Sequence, residues 1–350
     1  MSAAQPIRPS SPPSFVPDPG IARWMFTVSA LIAFIVVFGG LVRLTGSGLS
    51  MTDWHVVTGV FPPLGQEAWQ EEFDQYRQSP EYQQINQGMT LAQFRFIYYM
   101  EYTHRLLGRL VGLVLAVPLI IRLVRRRLPP GSTPIFIGLG LLMALQGYIG
   151  WYMVQSGLVN DPHVSHYRLT IHLLAALALL AGCLWQALSH WRPAETVEIP
   201  AKIRHTALAL WAVLWLQIAA GGLLAGLKAG HISDTFPLMF GRLIPDALGA
   251  LRPLLSNILD NPVTIHFQHR WFAFAVVAMA LVLRLQLGRW APLLLRRGCD
   301  IFLALVLAQV LLGIGLVWWH VPLVAASLHQ FLGLALFVNA LFIAHRAVRR

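Results

Sequence analysis

Glu101-Tyr102-Thr103-His104-Arg105 opens an apolar run that continues to about residue 122, and His266-Phe267-Gln268-His269-Arg270 opens another that continues to about 286. Each stretch sets a His-Arg pair at the mouth of a run of membrane length. The neighbours of the two runs match as well. The run after the first carries Gln146 and Gly150, and the run after the second carries Gln309 and Gly313 at the same spacing. The next runs read Thr170-Ile171-His172-Leu173 and Ser327-Leu328-His329-Gln330, and the preceding ones hold Gly39-Gly40-Leu41 and Gly221-Gly222-Leu223. Self-similarity over four successive runs is the mark of an internal repeat. Four runs per half is an even number, so both halves enter the membrane from the same side. Their symmetry axis is then expected along the membrane normal.

Working outward, eight runs emerge, at about 24–45, 103–122, 134–154, 168–189, 206–227, 264–286, 300–319 and 324–345. Each approaches the roughly 20 residues that cross a bilayer as a helix. The runs are continuous rather than alternating, which excludes a β-barrel. The chain is 56% hydrophobic and only 12% charged, where a soluble domain carries roughly 25% charged residues. The expected fold is an all-α integral membrane protein, with eight transmembrane helices forming two pseudo-symmetric four-helix bundles. The division is a tail over 1–22, expected to be disordered and cytoplasmic, a first half over 23–190, a cytoplasmic linker over 191–204 and a second half over 205–350.

The net charge of +11 raises nucleic acid as a partner. The basic residues instead sit in short loops beside the runs: Arg122, Arg125, Arg126 and Arg127; Arg192, Lys202 and Arg204; Arg289, Arg296 and Arg297; Arg346, Arg349 and Arg350. Positive loops face the cytoplasm, so both termini are expected there, and no nucleic-acid partner is expected. The opposite side then carries two long segments, 46–100 and 228–262. The first is acidic in its middle and suits short helices lying on the outer surface, with Trp69 and Tyr98-Tyr99 at interfacial level. Residues 1–20 lack a signal-peptide core and the arginines of a transit peptide, which points to a bacterial inner membrane. Cys183 and Cys299 lie in unlike settings, and no disulfide is expected between them.

Ionisable residues inside a membrane are costly and are functional candidates by default. Four of the thirteen histidines, His104, His172, His269 and His329, lie near the starts of even-numbered runs. These runs all travel from outside to inside, so the four imidazoles share one depth. His104 can face His172 across one bundle, and His269 can face His329 across the other. Two imidazoles on opposite sides of a flat macrocycle form an axial pair for haem iron. Interhelical hydrogen bonding is the plainer alternative. Zinc is a poorer one, because it wants four closely grouped ligands. The other histidines read as solvated or interfacial: His163 and His166 in an outer loop, His55 and His231 in the long segments, His320 in a turn, and His190, His205 and His345 near cytoplasmic ends.

Glu101 breaks the symmetry. It precedes His104 by three residues, on the same helix face, and its counterpart is His266. A carboxylate beside a macrocycle edge can take a proton or stabilise positive charge. The plainer alternative is that it pairs with a neighbouring arginine or caps the helix. The first half thus reads as chemically active and the second as a fixed cofactor holder, with His266 as a supporting residue there. Arg43, Arg105, Arg168 and Arg270 lie near the outer helix ends. Arginine binds carboxylates with paired hydrogen bonds, so these four are candidates for haem propionates; snorkelling to water is the alternative.

The chain resembles the haem A synthase family, in its alphaproteobacterial and mitochondrial branch. The resemblance runs from about Phe26 to the eighth run. It is carried by Gly40-Leu41-Val42-Arg43-Leu44-Thr45-Gly46-Ser47-Gly48-Leu49-Ser50-Met51, Phe61-Pro62-Pro63-Leu64, Ser79-Pro80-Glu81-Tyr82 and Met100-Glu101-Tyr102-Thr103-His104-Arg105. It implies an oxidoreductase that converts a methyl group of haem O to the formyl group of haem A for terminal oxidase assembly. It also implies haem b on His269 and His329, substrate haem between His104 and His172, and catalysis by Glu101. Haem O synthase and cytochrome oxidase assembly factors are the partners it suggests, with a homo-oligomer left open. Some members carry a cysteine pair in the first outer loop; this chain has none there. The rival reading is a di-haem b electron-transfer cytochrome or quinol oxidoreductase, which needs the four histidines but not Glu101. A haem carrier is a further rival.

Overall fold

The computed structural model describes residues 16–53, 60–159, 161–191 and 197–348. Among them are eight helices long and apolar enough to cross a membrane. They are α1 (Pro19–Leu44), α4 (Leu91–Val124), α5 (Thr133–Gln155), α6 (His166–Trp191), α7 (Ala201–Gly226), α9 (Pro262–Gln286), α10 (Leu293–Trp318) and α11 (Leu323–Val348). Three short helices, α2 (Gly65–Tyr76), α3 (Pro80–Gln84) and α8 (Leu254–Leu259), lie in the two long connections. The fold is all-α.

The ends of these helices follow from local chemistry. Asp18 caps α1, its carboxylate accepting from the backbone N of Gly20 at 2.7 Å and of Ile21 at 3.1 Å, and Pro19 supplies a preset φ at the first helical position. Helix α1 therefore begins at Pro19, inside the stretch expected as tail; residues 1–15 lie outside the described residues. Thr90 and Gln93 form a reciprocal capping box that starts α4, three turns before the apolar run. Those added turns are held from above by α2. Trp69, Phe73 and Tyr76 pack on Phe94, Ile97 and Tyr98 in one buried aromatic cluster, with Tyr76 and Phe94 ring centres 5.0 Å apart.

The packing order recurs. Helix α1 packs on α4 and α6, and α5 packs on α4 and α6; likewise α7 packs on α9 and α11, and α10 packs on α9 and α11. Each set of four closes into a square in which the histidine-bearing helices, α4 with α6 and α9 with α11, stand on the diagonal. The squares meet where α6 lies on α7 and α11, and where α1 lies on α11. Accordingly α6 and α11 are the most enclosed spans, with 50% and 56% of their apolar stretches buried. One continuous apolar core runs through both squares. Cys183 and Cys299 are buried in it as free thiols.

The seam depends on small residues. A Cβ on Gly226 would lie 2.5 Å from the Cβ and 2.6 Å from the backbone Cα of His166. Backbone cannot yield as a side-chain tip can, so Gly226→Ala is expected to part α6 from α7 at about 1–3 kcal/mol. The measurement is the melting temperature in detergent, with Gly147→Ala, whose Cβ meets nothing within 4 Å, as the control. Equal melting of the two variants would show that the contact carries no stability.

Candidate functional site

The four histidines, on α4, α6, α9 and α11, each face a glycine on an odd-numbered span. A Cβ on Gly39 would lie 3.0 Å from Cε1 of His104, on Gly150 2.9 Å from His172, on Gly221 3.0 Å from His269 and on Gly313 3.2 Å from His329. Each ring thus occupies a notch that only glycine leaves open. The second glycine of each pair serves the seam instead. Gly40 lies against the side chain of Gln330, and Gly222 lies against Thr170, both from the opposite square.

His269 and His329 hold their ring centres 6.3 Å apart, with the planes at 68°. Two metal–imidazole bonds of about 2 Å each, plus the depth of each ring, span a comparable distance. The pair therefore fits a single six-coordinate iron between them, and a flat macrocycle is what two facing imidazoles accommodate. His104 and His172 lie within electrostatic reach of one another, and Phe38 stacks on His104 with ring centres 6.4 Å apart at 18°.

Glutamines secure three of the four. Gln146 Nε2 donates to the His172 carbonyl oxygen at 3.0 Å, Gln217 Nε2 to that of His269 at 3.0 Å, and Gln309 Nε2 to that of His329 at 2.9 Å. Gln217 escaped the sequence reading, although Gln217 and Gly221 repeat the spacing of Gln146 with Gly150 and Gln309 with Gly313.

Glu101 is 3% exposed and saturated with donors. Its Oε2 accepts from Ser50 Oγ at 2.8 Å and from the Met51 backbone N at 2.9 Å. Its Oε1 accepts from Arg105 Nε at 3.1 Å and from Arg105 Nη2. The pairing with a neighbouring arginine, one of the two readings of this residue, is thus present. Four hydrogen bonds from these donors satisfy the carboxylate and fix its orientation, as a buried polar group requires. Ser50 and Met51 were visible only as part of a motif; their contact with Glu101 depends on how the loop after α1 folds back.

The four arginines have carbonyl partners. Arg105 reaches Met51 O at 2.9 Å and Asp53 O at 3.1 Å, and Arg270 reaches Thr235 O at 2.8 Å. Each thereby fastens the long segment of its own half beside the histidine that precedes it. Arg43 donates to Ala225 O across the seam at 3.2 Å. Arg168 donates to Tyr152 O at 2.7 Å and lies over that ring. His266, at the position matching Glu101, is buried.

The remaining histidines serve elsewhere. His166 meets Asp260 at 3.0 Å, His190 accepts from the Asp18 backbone N at 3.1 Å, His345 meets Ser189 at 3.0 Å and His163 meets Asp161 at 3.0 Å. His320 lies 3.6 Å from Asp234. His55 lies outside the described residues.

A second buried carboxylate, Glu81 of α3, accepts from Tyr76 Oη at 3.0 Å, and Asn86 donates to that same oxygen at 2.7 Å. Burial, with the Glu101 carboxylate adding to it, pushes Glu81 up to about 7; the Tyr76 hydroxyl and the Lys228 ammonium pull the other way. The folded protein therefore holds a proton here that the unfolded chain releases near 4.5. The contribution to stability is complete below that value and is lost as pH rises to about 7. Melting curves across this window are expected to show falling stability in the native chain and a flatter dependence in Glu81→Gln. The same slope in both would place the effect on another group.

Paired histidines in two four-helix squares, with a buried glutamate beside one pair, define the candidate site of a polytopic membrane protein. The family model described as cytochrome oxidase assembly protein matches residues 22–341. Curated relatives named heme A synthase are similar over nearly their whole length. That of Novosphingobium aromaticivorans is 43% identical, covering 93% of this chain and 94% of its own. That of Nitrosospira multiformis is 40% identical, covering 94% of each, and that of Wolbachia pipientis is 38% identical, covering 92% of this chain and 96% of its own. The chain belongs to the haem A synthase family of cytochrome oxidase assembly proteins.

Proposed function

We propose that this protein is a haem A synthase, an oxidoreductase that carries a methyl group of haem O to the formyl group of haem A. The observation that carries this reading is the asymmetry between the two squares. Only one has a buried, donor-saturated glutamate three residues before a histidine; the other has His266 there. A pure electron carrier has no use for that difference.

His104 and His172 would hold the iron of the substrate haem between α4 and α6. Glu101 lies one helical turn from His104 and supplies fixed negative charge, which takes up a proton or offsets positive charge developing at the oxidised carbon. Ser50, the Met51 amide and Arg105 hold its orientation, so little reorganisation accompanies the reaction. His269 and His329 hold haem b, which supplies one-electron chemistry when bound. Arg43, Arg105, Arg168 and Arg270 lie near the outer ends of the spans and are the candidates for propionate contacts. The exposed apolar flanks of α4 and α5 suit lateral entry of a lipid-like substrate. The Arg-rich ends face the cytoplasm of a bacterial inner membrane, where haem O synthase and oxidase assembly factors are the natural partners.

The test is the chemical identity of haem extracted from the purified protein. Haem O and haem A beside haem b are expected. A preparation that yields haem b alone, under conditions that supply haem O, fits the electron-transfer cytochrome and removes this reading.

A further inference from the structure

Gln146, Gln217 and Gln309 each precede by four residues the glycine that faces a histidine ring, and each donates its amide to that histidine's carbonyl. The fourth odd-numbered span breaks the rule. Four residues before Gly39 stands Ile35, whose Cδ1 lies 3.7 Å from the place of a Cβ on Gly108, one turn along α4 from His104. The amides of Gln146 and Gln217 also approach the ring Nδ1 of their histidines, at 3.2 Å and 3.3 Å. Gln309 holds only the carbonyl of His329, whose Nδ1 is buried with no partner as that of His104 is, so the carbonyl clamp alone sets His104 apart from the other three. Among the described residues no side chain donates to the His104 carbonyl, and its Nδ1 is buried with no partner. The Gly39 notch and the stacked Phe38 ring lie against the His104 ring, and neither offers it a hydrogen bond.

Outer partners orient a metal-bound imidazole, and their loss typically costs about 10–100-fold in metal affinity. Three clamped ligands and one unclamped ligand therefore give the two squares different holding power. The second square is clamped on both sides, as a permanent cofactor requires. The first is clamped on one side only, as suits a site whose occupant arrives as substrate and leaves as product. We propose that His104 is the releasing ligand of the substrate site, and that Ile35 is the positioning residue that keeps it free to release. His172, held by Gln146, retains the iron while His104 lets go and rebinds. Exchange is thus a ligand dissociation with no change of oxidation state. The inference rests on the first square being the substrate site and names the residue that controls turnover of its occupant.

The experiment follows transfer of ferric haem O from the full-length protein in lipid nanodiscs to an apoglobin acceptor, read by absorbance. Wild type, Ile35→Gln, Gln146→Ile and Gln217→Ile are compared. In wild type, haem O is expected to leave at least about tenfold faster than haem b. Ile35→Gln is expected to slow haem O loss by about tenfold without altering the spectrum or retention of haem b, which serves as the internal check on folding. Gln217→Ile is expected to hasten haem b loss by a similar factor and to leave haem O unchanged. The converse set protects the test against a misfolded Ile35→Gln: Gln146→Ile, which removes the one clamp, is expected to empty the first site. Unchanged haem O loss in a folded Ile35→Gln protein overturns the proposal while leaving the synthase reading intact; so does retention of haem O by Gln146→Ile. A wild-type protein that never takes up haem O defeats the synthase reading itself.

Discussion

Replacing Glu101 with glutamine is expected to lower haem A formation by at least about 10²-fold, the lower end of what a positioned acid–base group contributes, while both haem sites stay filled. Glutamine keeps the length of the side chain and one acceptor oxygen, so Ser50 or the Met51 amide can still be satisfied. It removes the charge that faces Arg105. That guanidinium retains the Met51 and Asp53 carbonyls, which hold the loop in place. Glu101→Ala goes further. It leaves Arg105 buried without its counter-charge, a situation that costs about 3–5 kcal/mol, so its loss of activity mixes chemistry with disorder of the loop. The glutamine variant is the cleaner measurement. Haem composition by chromatography reads the outcome. Wild-type haem A in Glu101→Gln would mean that the carboxylate only anchors residues 50–53.

The second large effect needs no change to a ligand. Gly221→Val is expected to strip haem from the second square, lowering its content at least about tenfold, although His269 and His329 are intact. A Cβ there already stands 3.0 Å from Cε1 of His269, and the γ-methyls of valine ask for more room than a close-packed interior yields. The ring must turn, its carbonyl leaves the amide of Gln217, and the 6.3 Å separation from His329 is lost. Gly222→Val, one residue on, presses on Thr170 across the seam and is expected to destabilise the chain with less direct effect on the ring. Optical spectra of the two proteins, normalised to the folded fraction, separate these effects. Full haem content in folded Gly221→Val would mean that the notch does not position His269.

The eight spans were legible because apolar length is a one-dimensional signal. The edges were less so. The apolar run of α4 begins near Thr103, yet the helix starts at Leu91, because its first three turns are stabilised by the aromatic residues of α2 rather than by lipid. Residues 19–22 read as tail until Asp18 is seen to cap them. The histidines and Glu101 stood out as polar residues in apolar surroundings. Their supports did not. Gly39 and Gly221 stood out as matched positions of the repeat, and only the diagonal placement of the histidine-bearing helices turns them toward imidazoles. Gln217 has no counterpart in α1, so a search for matched pairs passes over it. Arg105 and Arg270 signalled a charge near a ligand; that they fasten residues 51–53 and 233–238 depends on loops whose path no periodicity encodes.

The adjacent glycines of α1 also bear on how such a chain could be divided. Gly39 receives the ring of His104, while Gly40 receives Gln330, whose amide donates to Val36 O at 2.7 Å and whose backbone neighbour is His329. One turn of α1 is therefore shared by both histidine sites. A polypeptide cut in the loop between α6 and α7 would leave each fragment with an open groove of backbone carbonyl and glycine facing acyl chains. Division at that point would therefore expose, in each fragment, polar backbone that only the other fragment satisfies.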